Sequence, residues 1–183
     1  MILFKKWHEF WYNIRVVEEI EPPECHFVSA AVGWLGLGCL KEAKEELSRV
    51  GGAYRNHPDV LELRWLICAE EQEWREGLQI ARALLHHAPD RSTGWLHQAY
   101  ALRRVTDGGV KQAWKALLPA FDKFPREPII SFNLSCYACQ MKQLEAARVW
   151  LKRAVVLGDK RKIKQMALAD KDLEALWPEI SEL

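Results

Sequence analysis

Four small residues recur along the chain at nearly constant spacing, and they constrain its fold more than any other feature. Ala43, Gly77, Ala113 and Ala147 stand 34, 36 and 34 residues apart. Four residues further on, Leu47, Ala81, Leu117 and Leu151 repeat those intervals, and three beyond that Val50, Leu84, Ala120 and Ala154 do so again. Three residues before the small set, Leu40, Trp74, Val110 and Leu144 are all apolar. Offsets of three and four place such residues on one face of a helix. The small residue lets a second helix approach closely, and the larger ones fill the space beside it. That second helix precedes each of these in the sequence. Its apolar residues are Phe27, Ala31 and Trp34, then Leu61, Trp65 and Cys68, then Trp95, Ala99 and Leu102, then Leu134 and Ala138. The pattern predicts four helical hairpins.

Breakers fall where hairpins need them. Pro58, Pro89 and Pro125 close the first three units, and Pro128 stands near the start of the fourth. Proline is tolerated in a first helical turn and not in a helix interior. Asp107-Gly108-Gly109 marks the turn of the third unit and accounts for its two extra residues. Gly51-Gly52 and Gly158-Asp159 end the second helices of units one and four.

A helix–turn–helix period of 34 residues resembles the tetratricopeptide repeat (TPR). The third unit carries Trp95 at the family's first aromatic position, Ala113 at its alanine and Pro125 at its closing proline. The stretch IISFNLSCYACQMKQLEAARVWLKRAVVLGD (129–159) is similar to that repeat almost throughout. The resemblance covers residues 24–159, as four repeats at 24–57, 58–91, 92–127 and 128–159. It implies an all-α, right-handed α-α superhelix, a solenoid with an added helix at each end. Unit two departs from the pattern, with Arg64 and Trp65 where the family prefers leucine and a small residue. The expected consequence is a rotated or displaced helix pair.

The flanks read as caps, because a solenoid must cover its exposed ends. Residues 160–183 supply Ile163, Met166 and Ala167 to cover unit four, and Leu173, Leu176 and Trp177 to close the end, with Pro178 stopping the helix. Residues 1–23 carry Phe4, Trp7, Trp11, Ile14 and Val17 at helical spacing, an aromatic stripe that serves either as a cap or as an interaction helix.

Composition limits the function. The chain of 183 residues carries 26 basic and 25 acidic side chains, net charge +1, which suggests no general attraction to nucleic acid or to anionic membranes. Five irregularly spaced cysteines read as reduced thiols of a cytoplasmic protein rather than a disulfide scaffold. Charged residues interrupt the N-terminus, so it does not read as a signal peptide, and no stretch reaches the ~18 apolar residues of a membrane span.

Chemical motifs are sparse. Cys136-Tyr137-Ala138-Cys139 is a C-x-x-C inside an expected helix, with no preceding strand and no second pair, and reads as packing. Cys25-His26 and His86-His87 are adjacent pairs that diverge on a helix. Gly33 to Gly38 ends a helix instead of opening one, unlike a phosphate loop. We therefore expect no metal, no cofactor and no catalytic set. The basic run Lys160, Arg161, Lys162 and Lys164, with Lys152 and Arg153 upstream, reads as a solvated face, or as a contact for an acidic partner or RNA.

The family resemblance implies a concave groove lined by the first helices, holding a peptide. Its candidate positions here are Glu62, Leu66, Ala69 and Glu70 in unit two, and His97, Tyr100, Arg103 and Arg104 in unit three. In unit four they are Phe132, Asn133, Cys136 and Gln140, with Asn133 at a family asparagine that bonds a peptide backbone. Unit one offers only Val28, Val32 and Leu35. It lacks the lysine and asparagine of the carboxylate clamp, which argues against chaperone C-terminal tails. The expected function is a non-catalytic protein- or peptide-binding scaffold. Alternatives are a self-assembling structural protein acting through residues 2–20, and an RNA-binding repeat protein acting through residues 152–164.

Overall fold

The computed structural model describes residues 20–182. The aromatic stripe of residues 1–19, with the cap or interaction role expected of it, lies outside them. The described residues form ten α-helices and one short 3-10 helix, with no strand among them. They fall into two compact units, residues 20–101 and 102–182.

The N-terminal unit comprises α1 (Glu24–Gly36), α2 (Leu40–Ser48), α3 (Pro58–Glu70), α4 (Trp74–His87) and α5 (Ser92–Leu102). The C-terminal unit comprises α6 (Val110–Lys123), α7 (Pro128–Gln140), α8 (Leu144–Leu157), α9 (Lys160–Ala169), the 3-10 helix Lys171–Leu176 and α10 (Trp177–Ser181). The first helices α1, α3, α5 and α7 begin at 24, 58, 92 and 128, and the second helices α2, α4, α6 and α8 begin at 40, 74, 110 and 144. The 34-residue period is thus the period of a helical hairpin. Consecutive helices pack together in both units, α1 on α2 and α3 on α4 in the first, α6 on α7 and α7 on α8 in the second.

The repeating slots are the core. Ala43, Ala81, Ala113, Ala147 and Ala154 are fully buried, as are Leu84 and Leu117, while the preceding set Leu40, Trp74, Val110 and Leu144 is half-buried at the helix starts. The two helices of a hairpin differ in kind. In α3 every residue from Asp59 to Ala69 except Arg64 is buried, and in α7 every residue from Ile129 to Cys139 is. The second helices α4, α6 and α8 bury one stripe and leave the other face wet, which is the usual amphipathic arrangement.

Helix starts are fixed by local chemistry. Pro58 and Pro128 occupy first-turn positions whose missing N–H costs nothing, and the residues before them cap the helices. His57 Nδ1 accepts from the Asp59 N–H at 3.3 Å, and the Glu127 carboxylate accepts from the Ile129 N–H at 3.3 Å. In the turn before α6, a Cβ at Gly108 would lie 1.9 Å from the Leu102 carbonyl oxygen, so only glycine fits there.

Several expectations change. On α1 the buried face is Val28, Ala31 and Leu35. Trp34 is 37% exposed, and Phe27 is half-buried with the Arg49 guanidinium 4.0 Å over its ring. Pro178 does not stop a helix; it sits in the first turn of α10, where proline is tolerated. Pro119 lies inside α6, on its exposed side, where water can take the carbonyl left without a partner. Among the described residues no helix is long and apolar enough to cross a membrane.

Candidate functional site

In the N-terminal unit, α3 carries Glu62, Leu66, Ala69 and Glu70 of the expected ligand-contacting residues, and α5 carries His97 and Tyr100. Glu62 is only 5% exposed. Its carboxylate accepts from the Thr93 hydroxyl at 2.7 Å and lies 3.5 Å from the Arg91 guanidinium, which also grips Asp59. Burial pushes the Glu62 carboxyl up, opposed by the Thr93 hydroxyl and the Arg91 charge. This lock ties the start of α5 to α3. The sequence marked Glu62 as a ligand contact and not as part of this lock, and gave no sign of Asp59, Arg91 and Thr93, which sit at helix starts outside the repeating slots.

His97 is 2% exposed and stacks flat on the Trp65 indole, with ring centroids 3.7 Å apart and planes within 8°. Burial drives its pKa down to about 3, so the imidazole is neutral at neutral pH. Leu66 and Ala69 are buried. Tyr100 is half-buried, set edge-on to Trp65 at 5.9 Å and tilted against Trp74 at 5.7 Å. Glu70, at the last position of α3, is exposed. Trp65, the departure from the repeat pattern, is thus absorbed by ring stacking within its unit.

In the C-terminal unit, the segment after α9 meets several of the expected positions. Arg103 makes a two-pronged ion pair with Asp172, Nη2 to Oδ1 at 2.6 Å and Nη1 to Oδ2. The pair raises the guanidinium pKa further, against the pull of burial. Gln140 Nε2 donates to the Asp172 carbonyl oxygen at 3.3 Å. The buried Cys136 thiol donates to Asp170 Oδ2 at 3.5 Å, and burial pushes both the thiol and the Asp170 carboxyl up. Asn133 Nδ2 donates to the Ile129 carbonyl one turn back at 2.8 Å, and Phe132 is fully buried. Arg104 is half-buried. The sequence showed residues 160–180 as an apolar cap and offered no sign of the Asp170 and Asp172 polar contacts, which join residues up to 69 positions apart.

The basic run is partly committed as well. Arg153 lies 4.0 Å over the Phe121 ring, beside Trp150, whose ring centroid is 5.1 Å from that of Phe121. Lys164 Nζ donates to the Ser181 carbonyl at 2.9 Å.

No family model matches the chain, and no curated protein does. Several solved structures are similar to it in fold. TTC0263, a thermophilic TPR protein of Thermus thermophilus, is 18% identical and superposes with a TM-score of 0.66, over 87% of this chain and 90% of its own. MamA 41-end from Desulfovibrio magneticus RS-1 is 16% identical with a TM-score of 0.65, over 89% and 96%. A MamA RS-1 double mutant is 16% identical with a TM-score of 0.63, over 84% and 80%. Identities this low speak for the fold alone. With hairpins that start every 34 or 36 residues and small residues buried at the same slot of each, the chain has a TPR-like, all-α helical-repeat fold.

Proposed function

We propose that the protein is a non-catalytic scaffold that binds a protein or peptide through the first helices of its repeats. The observation that carries this is Tyr100, a partly exposed aromatic ring held between Trp65 and Trp74. A rigid aromatic of this kind gives contact area at little entropic cost. Glu70 and Gln140 are the exposed last residues of α3 and α7, and Arg104, half-buried, stands in the turn two residues past the end of α5. Glu62, Leu66, His97, Phe132, Asn133 and Cys136 support the surface of their own units from beneath, since all are buried. The partner this suits is a segment with an apolar anchor and an acidic group.

The test compares capture from native lysate by the wild-type chain and by a folded Tyr100→Ala/Arg104→Glu variant. A partner retained only by the wild type supports the groove. Equal capture by both chains sinks it and moves attention to residues 2–20 or to the basic 152–164 face.

A further inference from the structure

We propose that Cys68, Glu73 and Glu76 form a binding site for a borderline-soft divalent cation of the zinc class at the turn between α3 and α4. One ligand atom from each, the Cys68 sulfur and one oxygen of each carboxylate, lies within 4.8 Å of the others. Zinc–sulfur bonds near 2.3 Å and zinc–oxygen bonds near 2.1 Å set tetrahedral ligand atoms about 3.5 Å apart, so small side-chain rotations close the set.

The backbone holds these three in place. Cys68 stands in the last turn of α3, Glu73 immediately precedes α4 and Glu76 lies in its first turn. Gln72, at φ +62°, reverses the chain between them, and the Glu73 N–H donates to the Cys68 carbonyl at 2.8 Å. The ligands therefore belong to a tight, hydrogen-bonded turn.

The thiol itself points to a ligand. Cys68 is 4% exposed, and its sulfur makes no hydrogen bond among the described residues. It lines a cavity of about 310 Å³, with Leu47, Ile67 and Ile80 among the apolar walls, Lys44 and Arg64 among the charged ones, and Glu73 and Glu76 exposed. Glu76 forms no salt bridge among the described residues, and the nearest cation to Glu73 is Lys44 at 4.0 Å, which is held more closely by Glu71.

A second cluster sharpens the assignment. Cys136, Asp170 and Asp172 in the C-terminal unit gather their ligand atoms just as closely. There the thiol donates to Asp170 and the Asp172 carboxylate is held by Arg103, so its ligand atoms already have partners. In the Cys68 set the thiol makes no hydrogen bond among the described residues, and the ion pair there is the long 4.0 Å contact of Glu73 with Lys44. A sulfur with two carboxylates favours zinc over magnesium or calcium, which take oxygen ligands throughout. Three protein ligands leave the fourth position to water.

The experiment titrates the full chain with cobalt(II) as a zinc surrogate and reads the near-ultraviolet thiolate-to-cobalt charge-transfer band. We expect one equivalent to bind with that band, zinc to displace it, and zinc to raise the Tm. Cys68→Ser should abolish the band. Glu73→Gln/Glu76→Gln, at two exposed positions that leave packing intact, should weaken binding at least tenfold. No band at saturating cobalt, an equal band in Cys68→Ser, or undiminished affinity in the double glutamine variant would each overturn the proposal.

Discussion

The hairpins α3–α4 and α7–α8 use the same slots and fill them by different chemistry. In α7–α8 the first helix offers Ser135 and the second Ala147, both fully buried, and the serine hydroxyl donates to the Ala147 carbonyl at 2.7 Å. In α3–α4 the corresponding residues, 70 positions earlier in each case, are Trp65 and Gly77. The indole fits because His97 stacks against it and Tyr100 meets its edge. Gly77 is not forced by it, since a Cβ there would sit 3.6 Å from the indole nitrogen and 3.6 Å from the Cys68 Cβ, ordinary contact distances. One slot is closed by a hydrogen bond across a short gap, the other by a stack of rings. A repeat position thus fixes where a side chain points, and leaves open how the space is filled.

The largest test of this contrast is Ala147→Asp. It places an unpaired charge at a fully buried contact and should cost on the order of 3–5 kcal/mol. Circular dichroism should show the C-terminal unit losing helix, and full cooperative helicity would contradict the register. Trp65→Ala comes next. Removing a buried tryptophan costs about 3–5 kcal/mol, and chemical denaturation should show the loss, along with a His97 ring freed from its stack.

Acid probes the same stack. The His97 pKa is about 3 in the fold against an ordinary value of 6.5, so between those values the unfolded chain holds a proton that the folded chain refuses. Its contribution is present above pH 6.5 and drains as pH falls, by about 2 kcal/mol at pH 5. Thermal melts at pH 7 and 5 should show the decline, and His97→Gln should flatten it. An unchanged slope in that variant would place the sensitivity elsewhere.

Ser135→Ala should cost about 1 kcal/mol, the net worth of one buried hydrogen bond, read as a lower denaturation midpoint. Gly77→Ala is the smallest and opposite in sign. It should stabilise by about 0.5–1 kcal/mol, since alanine favours the helix and its methyl fits. Destabilisation would mean that the indole needs the glycine after all.

The hairpin period was legible because it is one-dimensional. Ala43, Gly77, Ala113 and Ala147 recur at fixed intervals, and interval plus residue size determine which helix face is buried. On α1 the same reasoning chose Phe27 and Trp34, since large aromatics look like core. The arginine stacked on Phe27 and the exposed Trp34 show that size alone does not decide burial. The candidate site was less legible for a related reason. Arg91 with Asp59, Arg103 with Asp172 and Cys68 with Glu73 and Glu76 are set by side-chain reach across turns or across distant segments. None of these pairings repeats, so no periodicity reveals them.

The Arg103–Asp172 pair also has a meaning in time. Its members are 69 residues apart, and at 5–20 residues per second a ribosome needs roughly 3–14 s to make the chain between them. Within that interval α7 is made, while the Arg103 guanidinium still lacks its Asp172 partner. A chain cut short before Asp170 would therefore leave Arg103, Cys136 and Gln140 without the partners that the last segment brings them.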